Sequence, residues 1–146
     1  MRRSKTLHLI DDDTDDLDFF CEAVNTIDSS IICFKSTNSD ETLQHFINND
    51  VIIPDIIFLD LNMPLINGRK FLIEIKKLVP YATVPVIIYS TSSYQKDIDE
   101  TKALGASDFL TKPYSIESLI KSLQELLSYY WPDYNLQESY AHSKIR

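Results

Sequence analysis

Glycine is almost missing from this chain: Gly68 and Gly105 are the only two in 146 residues. Standing far apart, they can form neither a phosphate-cradling loop nor a dinucleotide fingerprint, both of which need clustered glycines. Cysteine is equally scarce. Cys21 and Cys33 each fall inside an apolar segment, and the expectation is two buried free thiols in a reducing compartment rather than a disulfide. No stretch approaches the roughly 20 apolar residues that cross a bilayer. The start, Met1-Arg2-Arg3-Ser4-Lys5, does not lead into a signal core, because charge returns at Asp11. A cytoplasmic location without membrane contact is therefore expected. The two methionines and three separated histidines have no zinc or haem spacing, and His8, inside a strand-like run, reads as packed or solvent-facing rather than as a ligand. Basic charge is short too, with 14 Lys and Arg against 22 Asp and Glu, a net −8. No basic stripe offsets it, so phosphate backbones are repelled and nucleic acid is excluded as a partner.

Much of the negative charge is local. Asp11, Asp12, Asp13, Asp15, Asp16 and Asp18 crowd one short stretch directly behind the apolar run Leu7-His8-Leu9-Ile10. A solvated acidic face is one reading. A cation site is favoured, because the cluster follows a strand rather than sitting in a polar loop.

The hydrophobic period switches repeatedly between strand and helix. Strands are expected at 5–10, 31–34, 55–59, 84–89 and 108–110. Between them, Thr14 can cap a helix carrying Leu17, Phe20, Val24 and Ile27, and Ser39 one carrying Leu43, Phe46 and Ile47. Phe71 to Val79 marks a third helix stopped near Pro80, residues 94–104 a weakly amphipathic fourth ended by Gly105, and Ser115 caps a fifth rich in leucine. Alternating strands and helices with short loops predict an α/β fold: a doubly wound, five-stranded parallel sheet with five helices. One domain is expected over residues 1–128. Residues 129–146 form an aromatic tail with Trp131, Tyr134 and Tyr140 and no clear period.

In such a sheet every strand ends on one edge, where ligands bind. Asp55-Ile56-Ile57-Phe58-Leu59 runs into Asp60, Val86-Ile87-Ile88-Tyr89 into Ser90, and Phe109-Leu110-Thr111 into Lys112-Pro113. Carboxylates, a hydroxyl and a lysine would thus meet. Crowded carboxylates suit Mg²⁺, a hard cation that takes oxygen ligands. A strand-end carboxylate can act as nucleophile, and if it attacks phosphorus, Asp60, Ser90 and Lys112 supply the acceptor, a hydrogen bond and a compensating charge.

Taken together, Ile10-Asp11-Asp12-Asp13, Leu59-Asp60-Leu61-Asn62-Met63-Pro64, Asn67-Gly68, Pro85 to Ser90 and Gly105 to Pro113 resemble the receiver domain of two-component response regulators over about residues 4–128. A stand-alone, chemotaxis-regulator-like member of that flavodoxin-like fold is expected. The resemblance implies that Asp60 accepts phosphate from a sensor histidine kinase or a histidine phosphotransfer protein. It implies Mg²⁺ held by Asp12, Asp60 and the Asn62 backbone carbonyl, with Asp11 acting mainly through water. Ser90 and Lys112 would contact the phosphoryl group, Phe109 would switch with Ser90, and the Lys112-Pro113 peptide would be cis. Thr91 stands where the family often has a smaller residue, which would narrow access. Asn62 and Ser92 occupy positions that influence hydrolysis, so self-dephosphorylation is expected in place of enzymatic turnover.

Some 18 residues follow the last expected helix, too few for a DNA-binding domain. A downstream protein target, a homodimer or onward relay to a histidine protein are the outputs the resemblance leaves open. The rival from another class is a Mg²⁺-dependent phosphohydrolase with an aspartyl nucleophile, because Asp11 and Asp13 have that spacing. No cap-domain sequence accompanies them, and Asp60 would have no role.

Overall fold

The structure, a computed structural model, describes residues 4–133. Its elements follow in the order β1 (Thr6–Ile10), α1 (Thr14–Ile27), β2 (Ile32–Ser36), α2 (Ser39–Asn48), β3 (Ile56–Leu59), α3 (Gly68–Lys76), a 3-10 turn (Val79–Tyr81), β4 (Val86–Ser90), α4 (Gln95–Ala103), β5 (Asp108–Thr111) and α5 (Ile116–Tyr130). The five strands are parallel, in the order β2-β1-β3-β4-β5. This is the doubly wound, flavodoxin-like sheet expected from the alternation of periods.

Side chains alternate across the sheet with a period of two, which divides the core. Leu7, Leu9, Ile56, Phe58, Ile87 and Tyr89 pack under α1 and α5. Ile10, Ile57, Leu59, Val86 and Ile88 pack on the opposite face with α2 and α3. Burial on both faces is why β1, β3 and β4 read as continuous apolar runs, whereas edge strands β2 and β5 are partly exposed. Phe20 of α1 stands edge-on to Phe58 at 4.7 Å and to Tyr89 at 5.2 Å, locking that helix over the sheet. By contrast α4 buries only Thr101. Little apolar area pins it to the body.

Helix ends depart from expectation in detail. The cap of α1 is Asp13, not Thr14: its Oδ1 accepts the backbone N–H of Asp15 at 2.9 Å and of Asp16 at 3.2 Å, so one carboxylate satisfies two orphan donors. Asn38 caps α2 by accepting from Glu41 N–H. That frees Ser39 to donate to the Pro64 carbonyl and accept from Ile66 N–H, tying α2 to the loop behind Asp60. Helix α3 stops at Lys76, because Leu78 turns extended and Pro80 enters the 3-10 turn that buries Tyr81. Ser115 caps α5 as expected, accepting from Ser118 N–H at 3.2 Å.

Gly68 has no room for a side chain. A Cβ there would overlap the Asp60 carbonyl oxygen and come within 2.7 Å of Leu61 Cα, while Gly68 N–H donates to the Leu61 carbonyl at 2.9 Å. The start of α3 therefore lies directly against the backbone that carries Asp60.

The cysteine expectation is corrected. Cys21 and Cys33 are bonded to each other, with Cα atoms 6.1 Å apart. The face of α1 that carries Cys21 lies on the edge strand β2, so packing brings together two thiols that no local pattern pairs. At the other end, Trp131, which the sequence pattern assigns to the tail, is buried in the α1–α5 core, with the Lys5 ammonium 5.4 Å from its ring. The rest of the expected aromatic tail, including Tyr134 and Tyr140, lies outside the described residues.

A bridge closing so short a loop removes unfolded-chain entropy worth about 2–3 kcal/mol. Reduction, or Cys21→Ala with Cys33→Ala, is expected to lower unfolding stability by about that amount in urea titrations. Equal midpoints for oxidised and reduced protein would show that the cross-link does not form.

Candidate functional site

Register assembles the site. β1 pairs Ile10 with Leu59 of β3, and Leu59 pairs with Ile88 of β4, so the next residues out are Asp11 and Asp60 on adjoining strands. Asp60 N–H donates to the Ile10 carbonyl at 3.0 Å, and Asp11 N–H to the Ser36 carbonyl at 3.0 Å. Ser90 pairs with Thr111, and Lys112 N–H donates to the Ser90 carbonyl at 2.7 Å. The chain reverses its direction of strand addition between β1 and β3, the crevice where ligands of such folds bind.

Carboxylate oxygens of Asp11, Asp12 and Asp60 lie within 4.8 Å of one another. Asp11 is fully buried, Asp60 is 5% exposed, and Asp12 sits on the exposed rim. The Lys112 ammonium is 2.7 Å from Asp11 Oδ2, 2.7 Å from Asp16 Oδ2 and 3.9 Å from Asp60 Oδ1. Burial, reinforced by the Asp11 carboxylate, pushes the Asp60 carboxyl up to about 7, against the pull of Lys112 and the Asn62 backbone N–H. Burial also raises Asp11, with the Lys112 hydrogen bond opposing. Burial alone would lower Lys112, but its hydrogen bonds to Asp11 and Asp16 outweigh that and hold it above its ordinary value. The carboxylates outnumber the charge facing them. A set of three close, hard oxygen donors with a carboxyl strained toward protonation fits a divalent cation such as Mg²⁺, held by Asp11, Asp12 and Asp60.

Around this centre the other expected residues fall into place unequally. Ser90 is fully buried, and its Oγ accepts the Ser92 N–H at 3.1 Å. Asn62 and Thr91 are exposed on neighbouring loops. Phe109 is half-buried between two surface grooves, one of about 250 Å³ lined by Ile98, Thr101, Lys102 and Ala106. Among the described residues there is no cis peptide, so Lys112–Pro113 is trans, against expectation; trans is the intrinsic default even before proline. Asp13, whose spacing from Asp11 suggested a phosphohydrolase, is occupied at the cap of α1.

Sequence reasoning missed two features. Asp16, one among many aspartates, reaches Lys112, which lies 96 positions away in the chain. Arg69 of α3 grips α4, with Nη2 donating to Asp97 at 2.6 Å and Nε to Glu100 at 3.2 Å. Ser92 donates to Asp97 as well, and Thr111 Oγ1 donates to the Ser92 carbonyl at 2.9 Å. The loop after β4 is thus tied to α4 through Asp97 and to β5 through Thr111. No local pattern in the chain announces either arrangement.

A doubly wound sheet with an acidic edge crevice beside a lysine just past the last strand is the architecture of a receiver domain. The family model of the response regulator receiver domain matches residues 7–124, and the chain belongs to that family. It is 35% identical over 75 residues to protein PilH of Pseudomonas aeruginosa, covering 51% of this chain and 62% of PilH. To response regulator Rcp1 of Synechocystis it is 34% identical over 77 residues, 53% of this chain and 52% of that one. The matched part thus spans half to three-fifths of these relatives. The structure of the phosphorylated cyanobacterial phytochrome response regulator RcpA superposes with a TM-score of 0.79 at 23% identity, covering 90% of this chain and 97% of RcpA. The Mn²⁺-bound form of Rcp1 gives 0.74 at 25% identity, covering 90% and 97%.

Because folded Asp60 titrates near 7 and an unfolded aspartate near 3.8, the folded state keeps its proton longer. Without a divalent cation, the stability that Asp60 contributes is fully present below about pH 4, is lost as pH rises through about 7, and changes no further above that. Asp60→Asn removes that loss. In EDTA, it is expected to be more stable than the parent by about 1–3 kcal/mol at pH 8, with the gap closing near pH 4. Chemical denaturation at the two pH values measures it, and a pH-independent gap contradicts the assignment.

Proposed function

We propose that this receiver acts as a stand-alone response regulator, taking a phosphoryl group on Asp60 from a histidine kinase or histidine phosphotransfer protein and signalling by protein contacts. The observation that carries this is the burial of one strand-end carboxylate, Asp60, beside two further carboxylates, the buried Ser90 and the Lys112 ammonium.

An Asp60 oxygen attacks phosphorus, the O–P bond forms as the donor's N–P bond breaks, and the electron pair leaves on the imidazole nitrogen. Asp11, Asp12, Asp60 and the Asn62 carbonyl would hold Mg²⁺, which supplies charge neutralisation at the transferring oxygens and keeps Asp60 ionised. Ser90 Oγ already accepts from Ser92, which leaves its own proton to donate to a phosphoryl oxygen. Lys112, 3.9 Å from Asp60 Oδ1, is within a small side-chain movement of the same group. Phosphorylation adds about −1.5 to −2 charge units beside Asp11 and Asp12, so both donors are drawn inward.

When Ser90 moves, the loop of Ser92 moves with it, and that loop is braced to α4 through Asp97. Helix α4 has little apolar anchorage and can follow. Phe109 then turns toward the groove beneath α4 on packing alone, having no hydroxyl to bond outside. The reading places the protein in the cytoplasm; among the described residues no helix is long and apolar enough to cross a membrane. Onward relay to a histidine protein uses the same acyl phosphate in reverse.

Incubation with Mg²⁺ and a phosphohistidine donor is expected to add one phosphoryl group, seen by intact mass, and Asp60→Asn is expected to abolish it. Undiminished uptake by Asp60→Asn would overturn the proposal. For the switch, the ring signals of Phe109 are expected to shift on adding beryllofluoride with Mg²⁺. Unchanged ring signals by NMR would leave Phe109 as a simple packing residue.

A further inference from the structure

Lys112 has three carboxylates within reach, and the geometry ranks them. Asp11 and Asp16 each take a 2.7 Å hydrogen bond from its ammonium, while Asp60 stands 3.9 Å away. Asp11 belongs to the strand-end set. Asp16 does not: it comes from the first turn of α1, where its backbone N–H is tied to the Asp13 cap. We infer that Asp16 is a positioning residue that holds Lys112 back from Asp60, competing with the group Asp60 receives for one ammonium. This rests on the phosphoacceptor reading above.

Burial decides which bond gives way. The Asp11 side chain is 0% exposed, so losing Lys112 would strand a carboxylate away from water. The Asp16 side chain is 36% exposed, and water can take over the vacated oxygen. Asp16 also sits at the positive end of α1, which keeps its unpaired carboxylate tolerable. As Lys112 swings toward a tetrahedral anion on Asp60, it therefore keeps Asp11 and releases Asp16. The cost of that release weakens the phosphorylated state, so Asp16 tunes how firmly the domain holds the group.

Beryllofluoride at saturating Mg²⁺ probes this by ¹⁹F NMR titration. Asp16→Asn is expected to bind it about tenfold more tightly, the low end for a charge-assisted hydrogen bond. Two controls separate the specific bond from bulk charge. Asp18→Asn removes a neighbouring acid of α1 that pairs instead with Lys35 at 3.2 Å, and is expected to leave affinity within about twofold, the usual weight of an exposed pair. In a Lys112→Ala background, Asp16→Asn is expected to lose its effect. The inference is overturned if Asp16→Asn binds no more tightly than the parent, if Asp18→Asn gains as much, or if the gain survives without Lys112. A folded parent that takes no beryllofluoride overturns the phosphoacceptor reading, and this inference with it.

Discussion

Three carboxylates crowded at one sheet edge against a lysine are the constraint on which the rest of this structure depends. Each taken alone would cost little in water. Brought together and sheltered, they raise the Asp60 carboxyl to about 7 and leave a charge imbalance that the protein does not cancel by itself. Nearby architecture answers that tension. Lys112 spans Asp11 and Asp16, Gly68 lets α3 press against the backbone of Asp60, and Ser39 pins the loop that follows it.

The two faces of the molecule hold this edge with unequal firmness. Under α1 and α5, aromatic and aliphatic side chains are interlocked, Trp131 included, and the Cys21–Cys33 bond adds a covalent tie to the edge strand. Around α4 the connection is polar: Arg69 to Asp97 and Glu100, Ser92 to Asp97, Thr111 to Ser92. Apolar packing is insensitive to charge at the crevice, but a polar brace that begins at Ser90 is not. A charge placed on Asp60 would therefore be felt first by the element that the core restrains least.

Much of this was legible in the chain. Apolar runs ending in Asp11, Asp60 and Ser90, with the shorter edge run before Lys112, identify the strands, their parallel arrangement and the residues that meet, because strand ends in a parallel sheet share an edge. Helix caps are less legible. Asp13 and Asn38 took the positions assigned to Thr14 and Ser39, since neighbouring polar residues compete for a cap and only backbone geometry selects the winner. The Cys21–Cys33 bond is illegible in the chain for a related reason: spacing in sequence carries no information about which face of α1 rests on β2.

What the sequence by itself determined is the sheet, its polarity and the identity of the edge residues, because hydrophobic period and strand endings are local properties. Only the tertiary structure decided that Lys112 bonds Asp11 and Asp16 ahead of Asp60, that Arg69 braces α4, and that Trp131 belongs to the core. Those depend on distances between segments separated by tens of residues. Side-chain reach, burial and competition for a shared partner settle them, and none of these is written in any local stretch of chain.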